Sequence, residues 1–252
     1  KTFQFALGGC GDPDQHEHFE EILKLCRENG IIPNFTTSGL GMNRETAEIC
    51  KKYCGAVAVS WYRSRYTYDA VDTLVKAGVK TNIHYVLSKS TVKEAYQRLC
   101  GVYKADSEEL SGGFPEGINA VVFLLHKPVG LGSEVDVIEA GNEYFSRLTE
   151  LIDKKNFPFK IGFDSCSVPA LLNMKNTDLN SLDTCEGARW SAYISADMKM
   201  MPCSFDNQAE RWAVDLNSKS ISEAWESNEF ENFRNYFRRS CPECSMQKHC
   251  MG

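Results

Sequence analysis

Residues 56–87, AVAVSWYRSRYTYDAVDTLVKAGVKTNIHYVL, carry the reading on which the fold rests. A β-rich run, Ala56–Ser60, leads into Thr67–Ala77, where apolar residues recur three and four apart, and Gly78 then precedes a second β-rich run, Thr81–Leu87. Such a change of period predicts a strand, an amphipathic helix and another strand. A glycine between helix and strand reaches positive φ without steric cost, which is how many helices end. Two strands joined by a helix run parallel, and the crossover is right-handed.

The rhythm continues on both sides of this unit. Strands are expected at Phe3–Leu7, Ile32–Thr36, Ala120–Leu124 and Lys160–Phe163, and helices at Gln15–Asn29, Asn43–Tyr53, Thr91–Lys104 and Glu134–Lys155; Gly30 repeats the part of Gly78. Six strands fall short of the eight in a closed barrel, so the expectation is an α/β fold, a partial (β/α) TIM-like barrel over residues 1–180. Chemistry on such a fold collects at the C-terminal ends of the strands. Those ends are polar or glycine-rich here: Gly8-Gly9-Cys10-Gly11-Asp12-Pro13, Thr36-Thr37-Ser38-Gly39, Ser60, Ser88, Lys127-Pro128-Val129-Gly130 and Asp164-Ser165-Cys166. The loop Ala105–Glu116 is longer than the others and holds Gly112-Gly113, the features of a mobile lid.

After Cys185 the rhythm changes. Trp190–Ser195 and Lys199–Met201 predict a hairpin, and Ile221–Trp225 and Phe230–Arg239 short helices. Of 11 cysteines, Cys185, Cys203, Cys241, Cys244 and Cys250 crowd this region, so residues 181–252 read as a small cysteine-rich α+β module. A chain of 252 residues, 42% of them hydrophobic, is too long and too apolar for a disulfide scaffold, which leaves thiols, metal ligands or redox centres. Cys241 and Cys244 put two thiolates on one turn, a spacing that suits zinc or an iron–sulfur cluster, and Cys185 and Cys203 can complete the set. A structural zinc knuckle is the alternative. Cys50 and Cys54 read as ordinary buried or half-buried thiols. Cys166 reads as a packed thiol, or as one facing a substrate or the metal. His16, His18 and His249 share no metal-ligand spacing.

The formal net charge of −6 supplies no basic stripe for nucleic acid, and no run approaches the roughly 20 apolar residues of a membrane span. No charged-then-apolar leader precedes Phe3, so a cytoplasmic address is expected. In the first turn, Gly8, Gly9 and Gly11 let backbone approach a ligand and Asp12 can hold a cationic amine; a tight turn with Asp12 as helix cap is the rival reading. The hydroxyls of Thr36, Thr37 and Ser38 can meet ribose oxygens or cap a helix.

Taken together, these turns resemble radical S-adenosylmethionine enzymes. Gly8-Gly9-Cys10-Gly11-Asp12-Pro13 is similar to that family's glycine-glycine-glutamate-proline motif, which meets the methionine end of the cofactor, and Thr36-Thr37-Ser38-Gly39 is similar to its threonine-threonine-asparagine-glycine beside the ribose. Ser60 and Lys127-Pro128-Val129-Gly130 also fall where the family pattern places them. The module resembles SPASM, or its shorter Twitch form, through Met201-Pro202-Cys203, Ala224-Trp225-Glu226-Ser227, Phe233-Arg234 and Cys241-x2-Cys244-x5-Cys250.

The resemblance implies one or two auxiliary [4Fe–4S] clusters, S-adenosylmethionine as cofactor of the intact parent, a peptide or protein substrate, and an electron donor such as flavodoxin or ferredoxin. It implies chemistry by 5′-deoxyadenosyl radical hydrogen abstraction. In the full SPASM pattern, Cys241, Cys244 and Cys250 hold a second cluster and a further cysteine follows. The departures are an extra residue in the first turn, Asp12 for glutamate, Ser38 for asparagine, and no three cysteines spaced by three and then two residues. Val57 stands where Cys50 and Cys54 would need a third thiol. The simplest reading is a chain cut at both ends and inactive by itself. The rivals are a non-catalytic, metal-stabilised peptide-binding protein with a degenerate barrel, and a zinc-stabilised aldolase-like barrel, which would lack the two motifs at successive strands.

Overall fold

The computed structural model describes residues 2–9, 11–167, 171, 174–176, 185–206 and 210–240. They fall into two compact units, residues 1–126 with 135–163, and residues 127–134 with 164–252.

The first unit is a parallel sheet flanked by helices. Strands β1 (Gln4–Leu7), β2 (Ile32–Thr37), β3 (Val57–Ser60), β4 (Thr81–Leu87), β5 (Ala120–Leu125) and β6 (Lys160–Phe163) pair in sequence order. Every pair is parallel, with Leu7 opposite Phe35, Ser60 opposite His84 and Val122 opposite Gly162. Helices α1 (Phe19–Glu28), α2 (Arg44–Tyr53), α3 (Arg65–Lys76), α4 (Val92–Cys100) and α5 (Glu143–Lys154) connect or follow the strands. The six expected strands and the partial barrel are present.

Alternation sets the two faces of the sheet. Phe35, Val57, Val59, Ile83, Tyr85, Leu87, Val121 and Phe123 belong to the core, which helix residues such as Leu23, Leu74, Ala95 and Leu148 complete. In α3, Thr67, Ala70, Val71 and Leu74 are buried, the three-and-four spacing that sets one face of a helix inward. The opposite face carries Thr36, Ala58, Ser60, Asn82 and His84, placed together by the registers Thr36–Ala58, Ala58–Asn82 and Ser60–His84.

Three helices are markedly shorter than expected. The first starts at Phe19 rather than Gln15, which closes the short turn Pro13–Gln15. The last barrel helix starts at Glu143 rather than Glu134, because the Asn142 side chain accepts from the Phe145 amide at 3.0 Å and Gly141, with φ +81°, turns the chain just before it. Helix α4 stops at Cys100, since Gly101 takes the left-handed conformation.

The expected lid is instead pinned. Arg98, 2% exposed, donates through Nε to Glu94 Oε1 at 2.6 Å, through Nη1 to Tyr68 OH at 2.9 Å and through Nη2 to the Leu110 carbonyl at 3.2 Å. Its guanidinium also lies 4.1 Å from the Tyr103 ring centroid and 5.0 Å from that of Trp61.

The second unit holds an antiparallel sheet of β7 (Tyr193–Ile194), β8 (Lys199–Met201) and β9 (Val214–Asp215), and the helices α6 (Ile221–Trp225) and α7 (Asn228–Ser240). The expected hairpin is there, with Tyr193 opposite Met201, and its turn contains Met198 at φ +62°. Strand β9, two residues long, adds an edge that the sequence reading lacks. Helix α6 is closed by a capping box, the Ser220 hydroxyl accepting from the Glu223 amide while the Glu223 carboxylate accepts from the Ser220 amide. Ala188, Met200, Val214, Ala224, Phe230 and Phe233 form the core of this unit. Arg234 ties α7 to it by donating to the Ala188 and Trp225 carbonyls at 2.8 and 2.7 Å.

Candidate functional site

Parallel pairing of β1 with β2 sends the loops that follow them to the same end of the sheet. Gly9 adopts φ +154°, a conformation open to glycine, and Asp12 follows in extended backbone ahead of the short turn Pro13–Gln15. The Asp12 carboxylate joins the two loops. Its Oδ1 accepts from the Ser38 amide at 2.8 Å, and its Oδ2 accepts from the Ser38 hydroxyl. Gly39, at φ +87°, packs against α3 so closely that a Cβ would lie 2.6 Å from that of Ala70. Thr37, 1% exposed, accepts from the Gly39 amide at 3.0 Å, so its hydroxyl serves the turn.

Thr36 points to the other face of the sheet, where its hydroxyl lies 3.4 Å from His84 Nδ1. Burial holds His84 below the ordinary imidazole range, so the ring is neutral at pH 7. Ser60 lies beside His84 in the register. The structure therefore gathers the sequence candidates into two groups: Asp12 with Ser38 at the loops, and Thr36 with Ser60 on the sheet face. His84 belongs to the second group and was missed, although its alternation with the apolar Ile83 and Tyr85 marks it as facing away from the core. Asp14, also missed, has its carboxyl raised by burial, and its Oδ1 is buried without a hydrogen-bond partner among the described residues. Gly8 and Gly11 have open space where a side chain would stand.

In the second unit, Cys185 and Cys203 approach through the backbone between them. Gly187 lies against Pro202: a Cβ there would fall 2.7 Å from the Pro202 carbonyl oxygen and 3.1 Å from the Phe233 ring. Burial pushes the Cys203 thiol up, and nearby Cys185 and Asp206 add to this, against the opposing pull of the Phe205 amide and Lys127. The Cys166 thiol is also raised, first by burial and then by Asp164, Cys185 and Cys203, with Lys127 opposing. Cys166 thus lies within electrostatic reach of Cys185 and Cys203, which the sequence left undecided because 19 positions separate Cys166 from Cys185.

No disulfide links the described cysteines. Among the described residues no three His, Cys, Asp or Glu side chains gather closely enough for a single metal ion. Thiolates of an iron–sulfur cluster bind separate irons rather than one shared ion. Cys10, Cys241, Cys244 and Cys250 lie outside the described residues.

Residues 185–251 match the family model of SPASM, an iron–sulfur cluster-binding domain. The chain shares the fold of two solved proteins. The chain is similar to Streptococcus suis SuiB solved with S-adenosylmethionine, at TM-score 0.69 and 16% identity, covering 99% of this chain and 61% of SuiB. It is also similar to anSMEcpe solved with AdoMet and the Kp18Cys peptide, at TM-score 0.65 and 17% identity, covering 99% of this chain and 74% of that one. SuiB bound to its precursor peptide SuiA matches at TM-score 0.65 and 14% identity, over 92% of this chain and 56% of SuiB. No curated protein sequence matches. The chain thus spans less than two thirds of the length of SuiB. Within the SPASM match, Gly187 and Arg234 fix the backbone that carries Cys185, one through close approach and the other through its bond to Ala188. Among the described residues no helix is long and apolar enough to cross a membrane.

Proposed function

We propose that this chain is the greater part of a peptide- or protein-modifying radical S-adenosylmethionine enzyme, in which the loops after β1, β2 and β3 bind the cofactor and the SPASM domain binds one or two [4Fe–4S] clusters. The observation that carries this reading is the Asp12–Ser38 junction, which unites the two motif loops in a fold that also precedes a SPASM domain. The peptides bound to SuiB and anSMEcpe support a peptide substrate. With its clusters in place, such a protein reduces S-adenosylmethionine and generates the 5′-deoxyadenosyl radical that takes a hydrogen atom from substrate. An electron donor of the flavodoxin or ferredoxin kind is part of the proposal.

The chain's own residues would act as follows. Gly8, Gly9 and Gly11 leave the backbone bare toward the methionine end, and Pro13 fixes the exit of that turn. Asp12 can accept from an ammonium while keeping Ser38, since each carboxylate oxygen has two lone pairs. Thr36 and Ser60 present hydroxyls on the sheet face for the ribose side, while Thr37, Ser38 and Gly39 shape the loop beside it. Cys185, Cys203, Cys241, Cys244 and Cys250 are the proposed cluster ligands, with Cys166 joining the first two.

The test is deoxyadenosine formation under anaerobic reduction by dithionite. Residues 1–252 contain no three cysteines spaced by three and then two residues and should form none above background, as the notion of a separate cleaving cluster requires. In the intact enzyme Asp12→Asn should reduce formation about tenfold or more, the loss of one charge-assisted bond of about 1.5–3 kcal/mol. Undiminished formation in that variant would refute the role of Asp12.

A further inference from the structure

Lys127 is held among the loops that carry two of the cysteines. Its Nζ lies 2.6 Å from Asp164 Oδ2 and 4.5 Å from the Phe205 ring centroid. Asp164 precedes Cys166 by two residues, and Phe205 follows Cys203 by two. The ion pair is secluded, with side-chain exposures of 16% for Lys127 and 17% for Asp164. Asp164 is itself fixed, its Oδ1 accepting from the Ser167 hydroxyl at 2.5 Å.

We propose that Lys127 is a positioning residue that sets the reduction potential of the cluster held by Cys185 and Cys203. This rests on the cluster reading above. A cluster bound by thiolates gains one negative charge when it accepts an electron. A fixed cation beside two of its ligand loops stabilises that reduced form, and seclusion from water keeps the interaction strong. Asp164 offsets part of the charge and anchors the ammonium at the Cys166 side. The step is one electron in, and no proton is exchanged.

The experiment is an anaerobic dithionite titration of the reconstituted protein followed by electron paramagnetic resonance, with iron and sulfide counted in every sample. Lys127→Gln should lower the midpoint so that, at a given potential, the reduced-to-oxidised ratio falls about tenfold, 59 mV for a one-electron couple. Lys127→Arg should keep the wild-type midpoint, and Asp164→Asn should raise it. Loss of the responding signal in Cys185→Ala would assign it to this cluster. A Lys127→Gln midpoint equal to wild type at full iron content would overturn the proposal. Should that variant hold no iron, Asp164→Asn decides: a higher midpoint supports the role and an unchanged or lower one overturns it. A wild-type protein that takes up no iron would instead defeat the cluster reading itself.

Discussion

Arg98 shows how one side chain can fix a loop that composition marks as mobile. Its fork reaches Glu94, Tyr68 and Leu110 with no side-chain surface left in water, and Glu94 also accepts from Arg63 at 2.5 Å. Arg98→Met should destabilise the first unit by about 3–5 kcal/mol, because it strands a buried carboxylate beside a single remaining cation. Denaturant titration measures this, and a loss under about 1 kcal/mol would mean that water already solvates Glu94. The half-buried His84 makes a pH-dependent contribution. Its folded pKa lies below the unfolded one, so the unfolded chain binds more protons and the contribution is complete above about pH 6.5 and falls away as pH drops below it. His84→Gln should therefore flatten the stability profile below about pH 6.5, and an unaltered slope would count against the desolvation of the ring.

The elements legible in the sequence are those whose pattern and neighbours agree. Thr81–Leu87 and Lys160–Phe163 end where alternation ends, and Ile221–Trp225 is bounded by its capping box. The helix expected from Glu134 was misjudged because Val135 and Ile138 continue a helical spacing that Gly141 and Asn142 interrupt. Strand β9 is only two residues long, too short to show a period. The β7–β8 turn carries a prediction of its own. Met198 occupies a left-handed conformation that costs a side-chain-bearing residue about 1–2 kcal/mol, so Met198→Gly should stabilise the second unit by up to about 1 kcal/mol after the entropy of glycine is counted. Thermal or denaturant midpoints would show it, and destabilisation would mean that the Met198 side chain contributes more than its backbone costs.

At the scale of the molecule, the sequence disclosed the partial barrel and the cysteine-rich module because both are written in local spacing. The electrostatic link of Cys166 to Cys185 and Cys203 and the Lys127–Asp164 pair depend on distant positions, which no local pattern encodes. The units also part at Phe163 and Asp164, and residues 127–134 go with the second unit, so the module draws on a barrel loop for the lysine beside its thiols. On the cluster reading, Cys166 and Cys203, whose thiols are raised, lie beside metal ligands. A cluster would bind thiolates, whereas without one the Cys166 and Cys203 thiols are raised by desolvation. The most direct measurement is iron and acid-labile sulfide per chain after anaerobic reconstitution, with zinc counted in the same samples. The expected result is about four irons and four sulfides for each cluster bound, reduced by Cys185→Ala and by Cys203→Ala. Stoichiometric zinc without sulfide, or iron content unchanged by either substitution, would contradict it.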